Sequence, residues 1–530
     1  MRRLVPALVA FSALAGSVQA QDDPFRKHGQ GRLTHELNLR ALAAEGALPP
    51  GVRAADRDAA SRPVIAVVEL LPGEDGAAVR ARAAALGGQE LLGIDHLLKV
   101  QVPPAALRAL SEAPGVARVR APFRPRRKEV VSEGVATTHA REFSAHTGST
   151  GAGVVVAVLD TEFARAEEML GTELPDDAAG TDFVLERIDD YENGHGTACA
   201  EIVHDMAPDA GVILAGFEDD VTWAQAVEEL VGLGVTIISH SVGFDNLFPP
   251  DGNNYYTQKV DAAAAAGVLF VTAAGNEAEK YHQGPWRDQN GNGYLEFGAT
   301  ELLPIGASTG TQVVLRWDDP FGGSLHDYDL LVVTADFAQN PLLSPDNPAI
   351  VASSADLQNG TGTPREIASF EAGDQPLYAV VWHDPASPLN AAQRFWLWAS
   401  DGVEGGLATP SGTLSMPGDA RGALTVGAAA FQSGAVEPFS SRGPTQDGRV
   451  KPDIAGPDGV STATYADRPF FYGTSAATPH VAGAAALLLS RNPGLSAQAL
   501  RAALEQATAS QGLSRNNDVG VGVLDLNLAR

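Results

Sequence analysis

From residue 63 onward, short apolar runs alternate with amphipathic stretches. VIAVVEL reads as a strand, GAAVRARAAALGG as a helix with a glycine stop, and HLLKVQV as a strand. PPAALRALSEAPG then reads as a second helix and VARVRA as a last strand. This β-α-β-α-β pattern of about 60 residues is enough for a small domain by itself. Beyond residue 131 the runs change character. GVVVAVLD, GVILAGF, GVTIISHSVG and GVLFVTAAGNE are continuously apolar and end on small or polar residues. Parallel strands covered on both faces read this way. TWAQAVEELVGLG and YYTQKVDAAAAAG, both helical in pattern, separate them. The pattern predicts a doubly wound α/β sheet, in which reactive groups collect at the carboxyl ends of strands.

Between 298 and 411 the texture shifts again. QVVLRW, DLLVVT, PLYAVVWH and RFWLWAS are short strands split by Gly, Pro, Asn and Asp clusters. An antiparallel β-sandwich inserted into the α/β domain is expected there. The α/β pattern returns at GALTVGAAAF and holds to residue 530. The expected division is therefore 62–130 for the small domain and its linker, 131–297 and 412–530 for the α/β domain, and 298–411 for the insert.

The first residues, MRRLVPALVAFSALAGSVQAQDD, add a different signal. Two arginines, a short apolar run and Val18-Gln19-Ala20 make up a secretory signal peptide over 1–20 rather than a membrane span. A secreted or periplasmic product without a membrane anchor is expected. Residues 21–61 are polar, rich in Ala and Arg, and expected to be loosely structured. Cys199 is the only cysteine, so no intramolecular disulfide can form. Charge divides the chain: residues 1–130 carry a net +6 and the remainder −34, within a total of −28. An acidic body of that size repels nucleic acid and anionic membranes. The sign changes at PFRPRRKEVVSEG, which marks a processing boundary near 127–134.

Three positions then carry candidate chemistry. Asp160 ends a predicted strand, His195 sits between two glycines at a predicted helix start, and Ser475 opens the helix of GTSAATPHVAGAAALLLS. Each alone has an ordinary explanation, as a turn residue, an exposed histidine without a role or a helix cap. Asp, His and Ser in this chain order, each in glycine-rich surroundings, match one known order of an acid–base–nucleophile triad. Through VVVAVLDT, NGHGTACA, TAAGNE and GTSAATPHVAG the sequence resembles the subtilisin-like serine peptidases, over roughly 132–297 and 412–530. MAPDAGVILA, FSSRGP and KPDIAGP agree with it.

The resemblance implies an exported serine endopeptidase that hydrolyses polypeptide substrates through an acyl-enzyme, without a cofactor in the chemistry, and a monomer. Ser475 would be the nucleophile, His195 the base and Asp160 its orienting acid. Asn276 and the Ser475 N–H would form the oxyanion hole. Ser241, Val242 and Gly243, with Ala273, Ala274 and Gly275, match segments that wall the primary specificity pocket. Tight packing of a parallel sheet is the alternative for each. The small domain resembles the family's ferredoxin-like propeptides, so a precursor inhibited by its own propeptide is expected. A catalytically silent peptide-binding protein, and an esterase or ligase using the same triad, stay open.

Some residues depart from this pattern or stand beside it. Glu162 occupies a position that is usually glycine, and would be strained if its φ were positive. Cys199 falls on the same helix face as His195. A zinc pair is one reading, though the sequence offers no third ligand nearby, and a small buried hydrophobe is the other. His480 lies about 140° around the helix from Ser475, which excludes it as the base. Asp288, Asn290 and Asn292, with Gly293 and then Tyr294 and Glu296, are spaced as in a calcium loop. Ala299 stands where that loop needs its bidentate glutamate, so structural calcium and a plain polar turn both remain.

Overall fold

The computed structural model describes residues 63–120, 130–182, 193–307, 311–344, 346–371, 375–468, 470–509 and 514–528, with isolated positions besides. The expected signal peptide and most of 21–61 lie outside the described residues. The chain divides into two compact units, Met1–Arg126 and Arg127–Arg530.

In the first unit the order is β1 (Val64–Leu70), α1 (Ala77–Ala85), β2 (Gln89–Ile94), β3 (Leu97–Val102), α2 (Leu107–Ser111) and β4 (Val116–Arg120). The antiparallel sheet runs β2-β3-β1-β4, a ferredoxin-like split arrangement. Strand β2 is absent from the expected pattern. All six of its residues are exposed, so no alternation of burial marks it. Leu37 and Ala41, within the segment expected to be loose, are helical and buried in this core with Val68, Leu98 and Val119.

The second unit is built on β5 (Val155–Asp160), β6 (Ala179–Asp182), β7 (Gly211–Gly216), β8 (Ile237–His240) and β9 (Leu269–Ala273). To these the chain later adds β18 (Ala423–Ala430) and β19 (Ile454–Asp458). All seven are parallel, in the order β19-β18-β9-β8-β5-β7-β6. From β5 the chain goes to the β6 edge, returns through β7 beside β5, and then crosses to β8 and on outward to β19, so its direction reverses at β5 and the end of β5 is a topological switch point. Helices cover both faces. Helix α3 (His195–Met206) and two later ones, Thr474–Arg491 and Ala497–Ala509, share one core with Val156, Val158 and Val271. Helices Asp220–Gly232 and Tyr255–Ala265 close the other face over Ala157, Ile238 and Phe270. Burial on both faces is why these strands lack alternation. Among the described residues no helix is long and apolar enough to cross a membrane.

Between β9 and β18 lies the sandwich. One sheet pairs β10 (Tyr281–Pro285), β17 (Arg394–Ala399), β12 (Thr311–Trp317) and β15 (Arg365–Phe370). The other pairs β11 (Leu303–Ile305), β16 (Leu377–His383), β13 (Tyr328–Thr334) and β14 (Ile350–Ser354). Both are antiparallel and enclose Trp317, Tyr328, Val381 and Leu397. Its first strand, β10, begins upstream of residue 298. The segment YHQGP carries a glycine and a proline, which read as loop rather than strand.

Candidate active site

Asp160 ends β5 and is fully buried. Its carboxylate takes the Thr161 N–H at 2.8 Å and faces His195 Nδ1 at 2.9 and 3.0 Å. That approach depends on Gly196. A Cβ there would lie 2.8 Å from the Asp160 Cβ and 2.6 Å from the Phe163 ring. The bare backbone instead donates its N–H to the Glu162 carbonyl at 2.7 Å. Burial works against charge on His195. The charge and hydrogen bond of Asp160, with the charge of Glu162, outweigh it and leave the imidazole pKa above its ordinary value.

Ser475 sits in the first turn of α6, the Thr474–Arg491 helix described above; the Asp220–Gly232 and Tyr255–Ala265 helices are α4 and α5. Its hydroxyl donates to the Ser241 carbonyl at 3.0 Å rather than to His195. Free active sites commonly hold such bonds loosely before substrate arrives. Pro479 has no N–H to offer the Ser475 carbonyl four residues earlier. Two outside donors replace it: Ser241 Oγ at 3.1 Å and Cys199 Sγ at 3.5 Å. The Ser475 backbone is thereby tied both to the helix that carries His195 and to the segment after β8. Asn276 follows β9, and its side-chain oxygen is held by Thr474, beside Ser475.

Ser241, Val242, Gly243, Ala273 and Gly275 line a cavity of about 80 Å³ together with Ser475 and Asn276. Ala274 is not in its lining. It is fully buried, with its N–H on the Val426 carbonyl and its carbonyl on the Ser415 N–H. The structure adds Asp245, Glu277, Ser415 and Thr474 to the cavity wall. Gly275 has φ +104°, and a Cβ there would meet Ser415 Oγ at 2.1 Å, so only glycine keeps this wall open.

The remaining candidates fall into place around this centre. Glu162 is not among the residues with positive φ, so no backbone strain attaches to it. Burial raises its carboxyl above the ordinary range, against the opposing charge of His195. Asp160, His195 and Cys199 place one ligand atom each within 4.8 Å, so a third ligand does exist in space. A metal there would need the thiolate. Burial pushes the Cys199 thiol well up, and His195 Nδ1 is already engaged with Asp160, so the set does not suit zinc. His480 is buried against the Ala476 carbonyl and Ser132 Oγ, and burial lowers it to about 4.

In the 288–301 loop, Asp288 accepts the N–H groups of Asn292 and Gly293. Glu301, which the sequence spacing did not single out, receives the side-chain amides of Asn290 and Asn292 at 2.7 and 2.8 Å. Glu296 instead caps Gln289, and the Tyr294 hydroxyl donates to the Pro341 carbonyl. Asn290 and Asn292 turn their amide nitrogens to Glu301 and their oxygens onto the Asn292 and Tyr294 N–H groups, so both amides would have to turn over to offer oxygen, with Asp288 and Glu301, to a hard cation.

The sequence model of the subtilase family matches residues 151–314 and 393–522, more than half of the chain. Serine protease AprX of Bacillus subtilis (strain 168) is 34% identical over 174 residues, covering 27% of this chain and 38% of AprX. The chain thus spans well under half the length of that curated relative. Among solved structures, the Clostridium perfringens CspB protease has a TM-score of 0.53 at 18% identity, over 75% of this chain and 98% of that one. That likeness is one of fold.

Proposed function

Because the chain belongs to the subtilase family, we propose that it is a serine endopeptidase acting on polypeptides through an acyl-enzyme at Ser475. The observation that carries this reading is the buried Asp160 carboxylate aligned on His195 Nδ1. Held in that tautomer, the ring presents Nε2 as a base. The Ser475 hydroxyl swings from the Ser241 carbonyl to Nε2, gives up its proton and attacks the substrate carbonyl carbon. The Asn276 amide and the Ser475 N–H, a first-turn group without a helical partner, receive the oxyanion. Collapse expels the amine, which takes the proton from His195. Water then repeats the sequence and frees the acid. A fluorophosphonate tests the reading. It should label the mature protein and not Ser475→Ala, whereas an unlabelled wild type would favour a peptide-binding protein.

We further infer export, supported by the composition of residues 1–20, and inhibition of the precursor by the small domain, supported by its ferredoxin-like arrangement. For the loop at 288–301 we propose structural calcium on Asp288, Asn290, Asn292 and Glu301. The ion would tie the loop together and take no part in bond cleavage.

A further inference from the structure

We propose that the cavity beside Ser475 admits a cationic side chain, so that the enzyme cuts after lysine or arginine. This rests on the endopeptidase reading and adds a substrate class to it. Ser475 and Asn276 border the cavity, so it receives the side chain adjoining the carbonyl under attack. Its walls are slim at Gly243 and Gly275, where a Cβ would crowd Ser415.

Two carboxylates line this small space. Ser415 Oγ donates to Asp245 Oδ1 at 2.5 Å, and Oδ2 of Asp245 has no donor among the described residues. Glu277 is buried between the Trp398 indole N–H at 2.5 Å and Lys280 Nζ at 3.3 Å. Lys280 pairs with Glu277, so Asp245 is the carboxyl left to face the occupant, and a cation seated there would favour its ionised form. A buried charge needs a partner, so an apolar side chain would strand Asp245 without water or counter-ion. An acidic side chain would add like-charge repulsion.

The inserted sandwich fixes this arrangement. Asn246, next to Asp245, has φ +53° and donates its amide to the Val314 and Trp396 carbonyls, both at 2.9 Å. Arg316 stacks on Trp396 with its guanidinium 4.3 Å from the ring centre and donates to the Asn246 side-chain oxygen. Trp398, from the same sheet, holds Glu277. Asn246, Arg316 and Trp398 are positioning residues for the pocket, and the insert is the frame that sets its charge.

The test is kcat/KM on matched peptides that differ only in the residue before the cleaved bond. Arginine and lysine should exceed leucine and phenylalanine by about tenfold or more, with glutamate lowest. In Asp245→Asn the arginine-to-leucine ratio should fall. A wild-type preference for leucine or phenylalanine, or an unchanged ratio in the variant, overturns the proposal while fluorophosphonate labelling of Ser475 stays intact. Absence of labelling and of all cleavage removes the endopeptidase reading, and the proposal with it. Should Asp245→Asn fail to fold, wild type is tested with n-butylguanidine and with its uncharged isostere. Competitive inhibition by the cation alone supports the proposal, and equal inhibition by both overturns it.

Discussion

The side-chain oxygen of Asn276 accepts the backbone N–H of Thr474 at 2.8 Å and its hydroxyl at 3.0 Å. With the oxygen held by two donors, the amide nitrogen is the end left for the substrate. Asn276→Ala should lower kcat by about 10²–10³ with little change in KM, because the lost donor acts on the transition state. Asn276→Asp should be as poor. Its carboxylate keeps the Thr474 bonds yet offers the oxyanion an acceptor. Steady-state kinetics on one peptide substrate decide both.

His195 must be neutral to act as base, and Asp160 raises its pKa above the ordinary value of 6.5. The neutral form therefore gains population only as pH climbs through a value higher than that of a free histidine. The acid limb of kcat/KM should accordingly lie above 6.5. Asp160→Asn should move that limb downward and reduce kcat by about 10⁴, through loss of the tautomer. A pH–rate profile of each protein checks the pair.

Selectivity should carry its own pH dependence. Burial, then the charge of Glu277, raise the Asp245 carboxyl above the ordinary range, against Ser415 and Lys280; Tyr281 also faces it. Raising the pH from about 6 to about 9 should ionise Asp245 while an arginine side chain stays charged. The arginine-to-leucine ratio should then rise. His195 cancels from the ratio because both substrates use it.

Calcium should raise the melting temperature of the mature protein, and a chelator should reverse the rise. Binding to the folded state alone stabilises by about 2.7 kcal/mol at a hundredfold excess over Kd. Glu301→Ala should abolish most of the calcium-dependent rise. Calorimetry with and without calcium separates this from a change in the apo protein.

The Asp160–His195 pair and the parallel sheet were legible in the sequence because their signals are local. Asp160 and Asn276 follow continuous apolar strands, and His195 and Ser475 stand at glycine-flanked helix starts. What escaped depends on distant closure. Strand β2 has no buried residue to give it a period. Leu37 and Ala41 find their core only once β1 and β3 have paired. Glu301 reaches Asn290 from eleven residues away, outside any loop spacing. Asp245 becomes a pocket residue through Ser415, 170 positions later in the chain.

Pro479 lies inside the Thr474–Arg491 helix without a backbone donor, and the Ser475 carbonyl is taken up by Ser241 and Cys199. A missing helix donor thus lets the Ser475 turn be tied to the helix that carries His195. Pro479→Ala would restore the missing backbone donor and compete for that carbonyl. The repaired helix should melt at a higher temperature and turn over more slowly, an exchange of activity for regularity. Protein engineers who smooth this helix for thermal tolerance would be dismantling the tie that its missing donor makes room for.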